Sequence, residues 1–125
     1  MDYVTTIRLL VRETKKPLKD VRVELFDRDE HSPDDSLGVA QTNAFGEATF
    51  KYKTRDFADN LTGNDDEAIK LRGSRDSVPD LYPVVYNRRG EVILSKRDEA
   101  THNNAVLNML VLIDEQVARN HALLD

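Results

Sequence analysis

Carboxylates crowd one stretch of this chain: Asp27, Asp29, Glu30, Asp34 and Asp35 all fall between positions 27 and 35. A hard cation such as Ca2+ collects about six to eight oxygens from carboxylates, carbonyls and water, which makes Asp27, Asp29, Asp34 and Asp35 candidate calcium ligands. The spacing is not that of an EF-hand loop. The competing reading is a solvated turn whose Asp side chains accept hydrogen bonds from their own backbone amides, and the same holds for Asp65-Asp66-Glu67. The histidines, His31, His102 and His121, do not share the i,i+4 spacing of a helical metal site. A small hydrolase could use His31 or His102 with nearby carboxylates, but no hydroxyl sits in a G-x-S-x-G elbow. The few glycines form neither a P-loop nor a G-x-G-x-x-G turn. Arg88-Arg89 and Lys96-Arg97 make a basic spot that can steer an acidic partner surface. Asn87, Arg88 and Arg89 therefore join the Asp27–Asp35 loop as candidate contact residues.

These groups must be held by strands, because the hydrophobic pattern has period 2. Thr5, Ile7, Leu9 and Val11 share one side of a run that puts Arg8 and Arg12 on the other. After the polar turn 15–20, Val21, Val23 and Leu25 alternate with Arg22, Glu24 and Phe26. The 37–42 run follows a loop with Pro33 inside it. Asn43-Ala44-Phe45-Gly46 then supplies turn chemistry before Ala48, Phe50 and Tyr52, so this pair reads as a hairpin. Between 54 and 80 the alternation fails; a short helix over 54–61 and a short edge strand at Ile69 and Leu71 are the candidates there. Leu81-Tyr82-Pro83-Val84-Val85-Tyr86 resumes the strands, with Pro83 suited to an edge or a strand start. Asn87-Arg88-Arg89-Gly90 is a second hairpin turn, followed by 91–95. Leu107, Met109, Val111 and Ile113 complete seven strands, and 115–125 is either a helical turn or two or a frayed tail. Seven short strands with regular turns predict an all-β, antiparallel sandwich with at most one short helix, a single domain over 1–125.

Composition narrows the function classes. Eighteen Lys and Arg against 23 Asp and Glu leave a net charge of −5, the wrong sign for a protein that neutralises phosphates, so no nucleic acid is expected as partner. The absence of cysteine removes disulfides, thiolate catalysis and Cys-based zinc sites. No apolar run reaches membrane-spanning length, and the first residues lack the pattern of a signal peptide. A cytoplasmic location is the expectation, with export by a dedicated machine left open.

Three longer motifs add a family. Lys16 to Asp27 resembles the opening strand of transthyretin-like, or carboxypeptidase-regulatory-like, domains. Asp34 to Phe50 is similar to their "D-D-x-L-G-x-x-x-T-D-x-x-G-x-x-x-F" signature, and Pro79 to Val92 to their "P-D-L-Y-x-x-V-Y-D-x-x-G" hairpin. Together the motifs span roughly residues 16 to 97. The resemblance implies a prealbumin-like sandwich of seven to eight strands. Nematode secreted members carry paired cysteines, so the match is rather to a bacterial or phage-type member. Related hydroxyisourate hydrolases need catalytic histidines and a C-terminal Tyr-Arg-Gly-Ser, whereas this sequence closes on His121-Ala122-Leu123-Leu124-Asp125; that activity is not carried over. Domains of this class serve as accessory modules, including in secretion spikes and toxin systems, where they dock another protein.

The expectation is therefore a non-enzymatic protein-binding or adaptor module with no cofactor. The alternatives are a Ca2+-dependent domain that binds membrane or carbohydrate through the acidic loop, and the small hydrolase above. Pairing of an exposed edge strand with its twin would add a homo-oligomer.

Overall fold

Alternation decides which side chains face inward, and burial follows it closely. Ile7, Leu9 and Val11 of the first strand, Val23 and Leu25 of the second, and Ala48, Phe50 and Tyr52 of the fourth are all buried. In the computed structural model, which describes residues 2–28, 33–53, 80–99 and 108–124, they meet in one core with Leu81, Val85, Val111 and Ile113. Burial of each such aliphatic side chain stabilises the fold by about 1.5–3 kcal/mol relative to exposure.

The described strands number seven: β1 (Asp2–Val11), β2 (Arg22–Asp27), β3 (Asp35–Gln41), β4 (Glu47–Lys53), β5 (Leu81–Tyr86), β6 (Val92–Ser95) and β7 (Asn108–Ile113). They form two sheets, in the orders β4-β1-β7 and β3-β2-β5-β6, and the result is the all-β sandwich that the pattern predicts. Every pairing is antiparallel except β1 with β7, where Thr6 to Val11 run beside Asn108 to Ile113 in parallel. A parallel pair needs a crossover, and here the crossover contains β2 to β6. The short helix over 54–61 and the edge strand at Ile69 and Leu71 lie outside the described residues.

One expected hairpin is absent. Asn43–Gly46 turns the chain tightly, but β3 pairs with β2 while β4 pairs with β1. The turn is a corner between sheets because its flanks are claimed by different neighbours: Thr42 N–H donates to Val21 O at 2.9 Å, and Gly46 O accepts from Leu9 N–H at 2.7 Å. The buried Thr42 hydroxyl fastens the corner further, accepting from Val21 N–H (3.0 Å) and donating to Leu18 O (2.6 Å). The second predicted turn does close a hairpin, β5–β6.

The C-terminal tail docks. Residues Glu115–Asn120 form α1, whose first N–H is taken by Glu13 Oε1 at 2.9 Å while Asp114 pairs with Arg12. Its end is a Schellman motif: Leu123 N–H donates to Ala118 O (2.8 Å) and Ala122 N–H to Arg119 O (3.1 Å), with Ala122 at φ 56°. Ala118 and Leu123 are thereby both carried into the core. No helix among the described residues is long and apolar enough to cross a membrane.

Candidate functional site

Register places three outward side chains in one row at the end of the larger sheet: Gln41 on β3, Arg22 on β2 and Tyr86 on β5. The Arg22 guanidinium lies over the Tyr86 ring, 5.9 Å from its centroid, a cation–π contact. Immediately after Tyr86 the chain turns through Asn87–Gly90, and the exposed Arg88 comes beside this row. Asp20 and Leu123 close the remaining sides of an open groove of about 510 Å3.

Charge in the groove follows from what its neighbours are already bound to. Glu24 is the carboxylate nearest in sequence to Arg22 on the same face of β2, but both its oxygens are occupied. Tyr86 Oη donates to Oε1 and Ser36 Oγ to Oε2, each at 2.6 Å. Burial, the bond to Glu24 and that carboxylate's negative charge push the Tyr86 phenol up to about 12, so it is protonated at neutral pH. Among the described residues, Arg22, Arg88 and Arg89 enter no ion pair. The basic spot expected in this region divides: Lys96 pairs with Glu99 at 3.0 Å and Arg97 with Asp34 at 2.7 Å, while the arginines of the turn keep their charge unmatched. Asp20 brings one carboxylate to the groove, on a backbone at φ 57°. Two guanidiniums beside a phenol ring and an apolar wall can seat a carboxylate or phosphate group.

Of the predicted contact residues at this turn, Arg88 and Arg89 are exposed. Asn87 is 7% exposed and holds the turn from beneath. Its Oδ1 accepts from Arg89 N–H and Glu91 N–H, both at 2.9 Å, and its Nδ2 donates to Glu91 Oε1 at 3.0 Å. A further contact, 3.3 Å, reaches His121 Nδ1.

Of the acidic stretch, Asp27, Asp34 and Asp35 are among the described residues. Asp27 is buried, and its Oδ1 accepts from Asp80 N–H at 2.9 Å. Asp34 is gripped by Arg97 through Nε (2.7 Å) and Nη2 (3.2 Å), and Tyr82 Oη donates to the same carboxylate. Burial first, and then this bond, raise the Tyr82 phenol above its ordinary range. The three residues lock the strand entry of β3 to the turn after β6. Asp35 opposes Asp27 in register, and its Oδ2 is shielded without a hydrogen-bond partner, as is Arg28 Nε. Among the described residues no group of three His, Asp or Glu side chains is placed to hold a metal ion. Asp29, His31 and His102 lie outside the described residues, as do Asp65, Asp66 and Glu67.

No protein-family model matches the chain, and no curated protein does. Among solved structures the chain is similar to a 9R-lipoxygenase from Cyanothece PCC8801, at 19% identity and a TM-score of 0.52. That likeness covers 90% of this chain but 16% of the lipoxygenase chain, and it shows the fold alone.

Arg22, Tyr86 and Leu123 were not among the predicted site residues, and each was missed for its own reason. Arg22 and Tyr86 are more than sixty positions apart and meet only through the β2–β5 register. Outward position on a strand was the available signal for Arg22. Leu123 arrives by way of a helix end with no glycine to announce it.

Proposed function

We propose that this domain is a non-enzymatic binding module, an adaptor that docks an acidic segment of another protein in the groove between Arg22 and Arg88. The observation that carries the reading is the charge of Arg22 and Arg88, which enter no ion pair among the described residues, at one groove in a chain whose net charge is −5. Isolated surface arginines in an acidic protein find carboxylates readily; here Glu24, on the same face of β2 as Arg22, accepts from Tyr86 and Ser36 instead, and Asp20 is the one carboxylate that lines the groove. Desolvated guanidiniums at the centre of a contact, backed by an aromatic ring, are the kind of group that carries binding energy. The transthyretin-like reading of the motifs, in which such domains act as accessories to larger assemblies, points the same way. The cysteine-free sequence supports a reducing, cytoplasmic setting.

The test is a titration of the full chain with a capped oligo-glutamate peptide at low and at physiological salt. Binding that weakens with salt is expected, with affinity falling about tenfold in Arg22→Glu and again in Arg88→Glu. Lys51→Glu, on an exposed position of the other sheet, should leave it intact. Failure of the peptide to bind, or binding indifferent to both reversals at the groove, removes the proposal.

A further inference from the structure

Among the described strands each sheet has two outer edges, and three of the four are protected against pairing. Edge strands carry unpaired N–H and C=O groups, and proteins blunt them with charge, bulges or brevity. β3 is bulged at Leu37, where the register jumps from Leu25–Gly38 to Phe26–Ser36. β6 has four residues and a bulge at Ile93. β4 carries Glu47, Lys51 and Lys53. β7 has none of these devices: Asn108-Met109-Leu110-Val111-Leu112-Ile113 holds no charge and no proline, and its register with β1 is unbroken.

The direction of its free groups follows from one bond. Arg12 N–H donates to Ile113 O at 2.8 Å, with Val11 opposite Ile113. In a parallel pair alternate residues give both backbone groups to the same neighbour. Ile113, Val111 and Met109 therefore bond β1, while Leu112, Leu110 and Asn108 turn theirs outward. No described strand receives them. Leu110, the middle residue of the three, is also 62% exposed.

We propose that β7 pairs antiparallel with β7 of a second copy, about a two-fold axis through Leu110, joining the three-stranded sheets of two protomers. The occupant is a second copy because a two-fold seam sets a strand against its own reverse. Leu110 meets Leu110, Asn108 meets Leu112, and up to about six backbone hydrogen bonds form. Any charge on such a strand would confront its own sign nearby, and β7 is the one described edge strand free of bulges and of charge. The charge beside it, Arg8, is in register with Leu110 but is already opposite Glu47 within its own protomer. This surface is separate from the arginine-lined groove, so either proposal can fail without the other.

Sedimentation equilibrium of the full chain over a concentration series is the test, with a monomer–dimer equilibrium expected. Leu110→Lys places two ammonium groups on the axis and should weaken dimerisation by about a hundredfold. Leu110→Pro removes an N–H that β1 does not use and should do likewise. Val39→Lys, on the edge of the other sheet, should change nothing. Amide exchange in the unsubstituted protein reads the seam without a variant: Leu110 and Leu112 should gain protection as concentration rises, while Val111 stays protected throughout. A monomer at every concentration, a dimer indifferent to both Leu110 variants or equally broken by Val39→Lys, or outward amides with no concentration dependence would each overturn the assignment.

Discussion

Asn43-Ala44-Phe45-Gly46-Glu47 and Asn87-Arg88-Arg89-Gly90-Glu91 close with one and the same set of hydrogen bonds. In each, the Asn N–H donates to the Glu carbonyl at 2.9 Å, the Gly N–H donates to the Asn carbonyl, and the Asn Oδ1 accepts from two further amides. Yet the first turn sends its strand into the opposite sheet and the second returns it to its neighbour. The difference lies in the surroundings. Gly46 is pressed against β1 and the loop after it; Gly90 stands in the open beside Arg22. Local chemistry shapes a tight turn, and the partners of its flanking strands decide whether that turn is a hairpin or a corner. The same contrast separates a buried joint from a tip free to meet another molecule.

The largest effect that follows is on the glycines. Both have positive φ, 76° at Gly46 and 84° at Gly90. A Cβ at Gly46 would lie 2.5 Å from Leu9 O and 3.2 Å from Pro17 Cβ, whereas at Gly90 its nearest neighbour is an Arg22 nitrogen at 3.8 Å. Gly46→Ala should cost about 3 kcal/mol, backbone strain and clash together, and lower Tm by roughly 10 °C. Gly90→Ala should cost about 1 kcal/mol from φ alone. Equal losses in chemical denaturation would mean that the corner is no more constrained than the tip.

The order reverses at the asparagines. Asn43 is exposed and its side chain serves the turn alone, while Asn87 is buried and also engages Glu91 and His121. Asn87→Ala strands groups that water cannot reach, and should cost about 2 kcal/mol against about 1 for Asn43→Ala. If Asn43→Ala proves the more damaging, the bracing role given to Asn87 is wrong.

Much of this was legible in the chain, because facing is a local property. Alternation marked Ile7, Leu9, Val11, Phe50 and Tyr52 as inward, and all are buried. Partnership is not local. Nothing within 37–53 distinguishes a hairpin from a corner, and the parallel seat of β7 beside β1 depends on residues a hundred positions apart. The tail was ambiguous because Ala122 occupies the left-handed position where glycine is the usual stop signal. At the site, Arg88 and Arg89 were visible as a charged turn. The quenching of Arg97 by Asp34, 63 residues away, was not, nor was the arrival of Arg22 at the same groove.

A smaller effect tests the residue just ahead of each asparagine, which is Thr42 at the corner and Tyr86 at the tip. Thr42 has nothing to titrate. Tyr86 is pushed up to about 12 by burial and by its bond to Glu24. A phenol whose folded value exceeds its unfolded one, near 10, favours the folded state while protonated. That stabilisation is complete below about pH 10 and is lost as pH rises through about 12. Tyr86→Phe should therefore flatten the fall of Tm across this window. It should not abolish it, since Tyr52 and Tyr82 are also raised. Identical slopes in the variant and the parent would take Tyr86 out of the alkaline response.

The smallest effect on stability belongs to the side chains that distinguish the two tips, Ala44-Phe45 at the corner and Arg88-Arg89 at the hairpin. Phe45 is 67% exposed, both arginines are exposed, and none of the three packs in either buried cluster. Arg88→Ala and Arg89→Ala should each alter unfolding free energy by less than about 0.5 kcal/mol, because neither surrenders an ion pair. An arginine pair retained for stability would show a loss of about 1 kcal/mol or more in the same measurement, and the tip would then be a brace like Asn87 beneath it. A neutral result leaves the charge of this turn without a structural purpose inside the protomer, which is the condition a contact surface must meet.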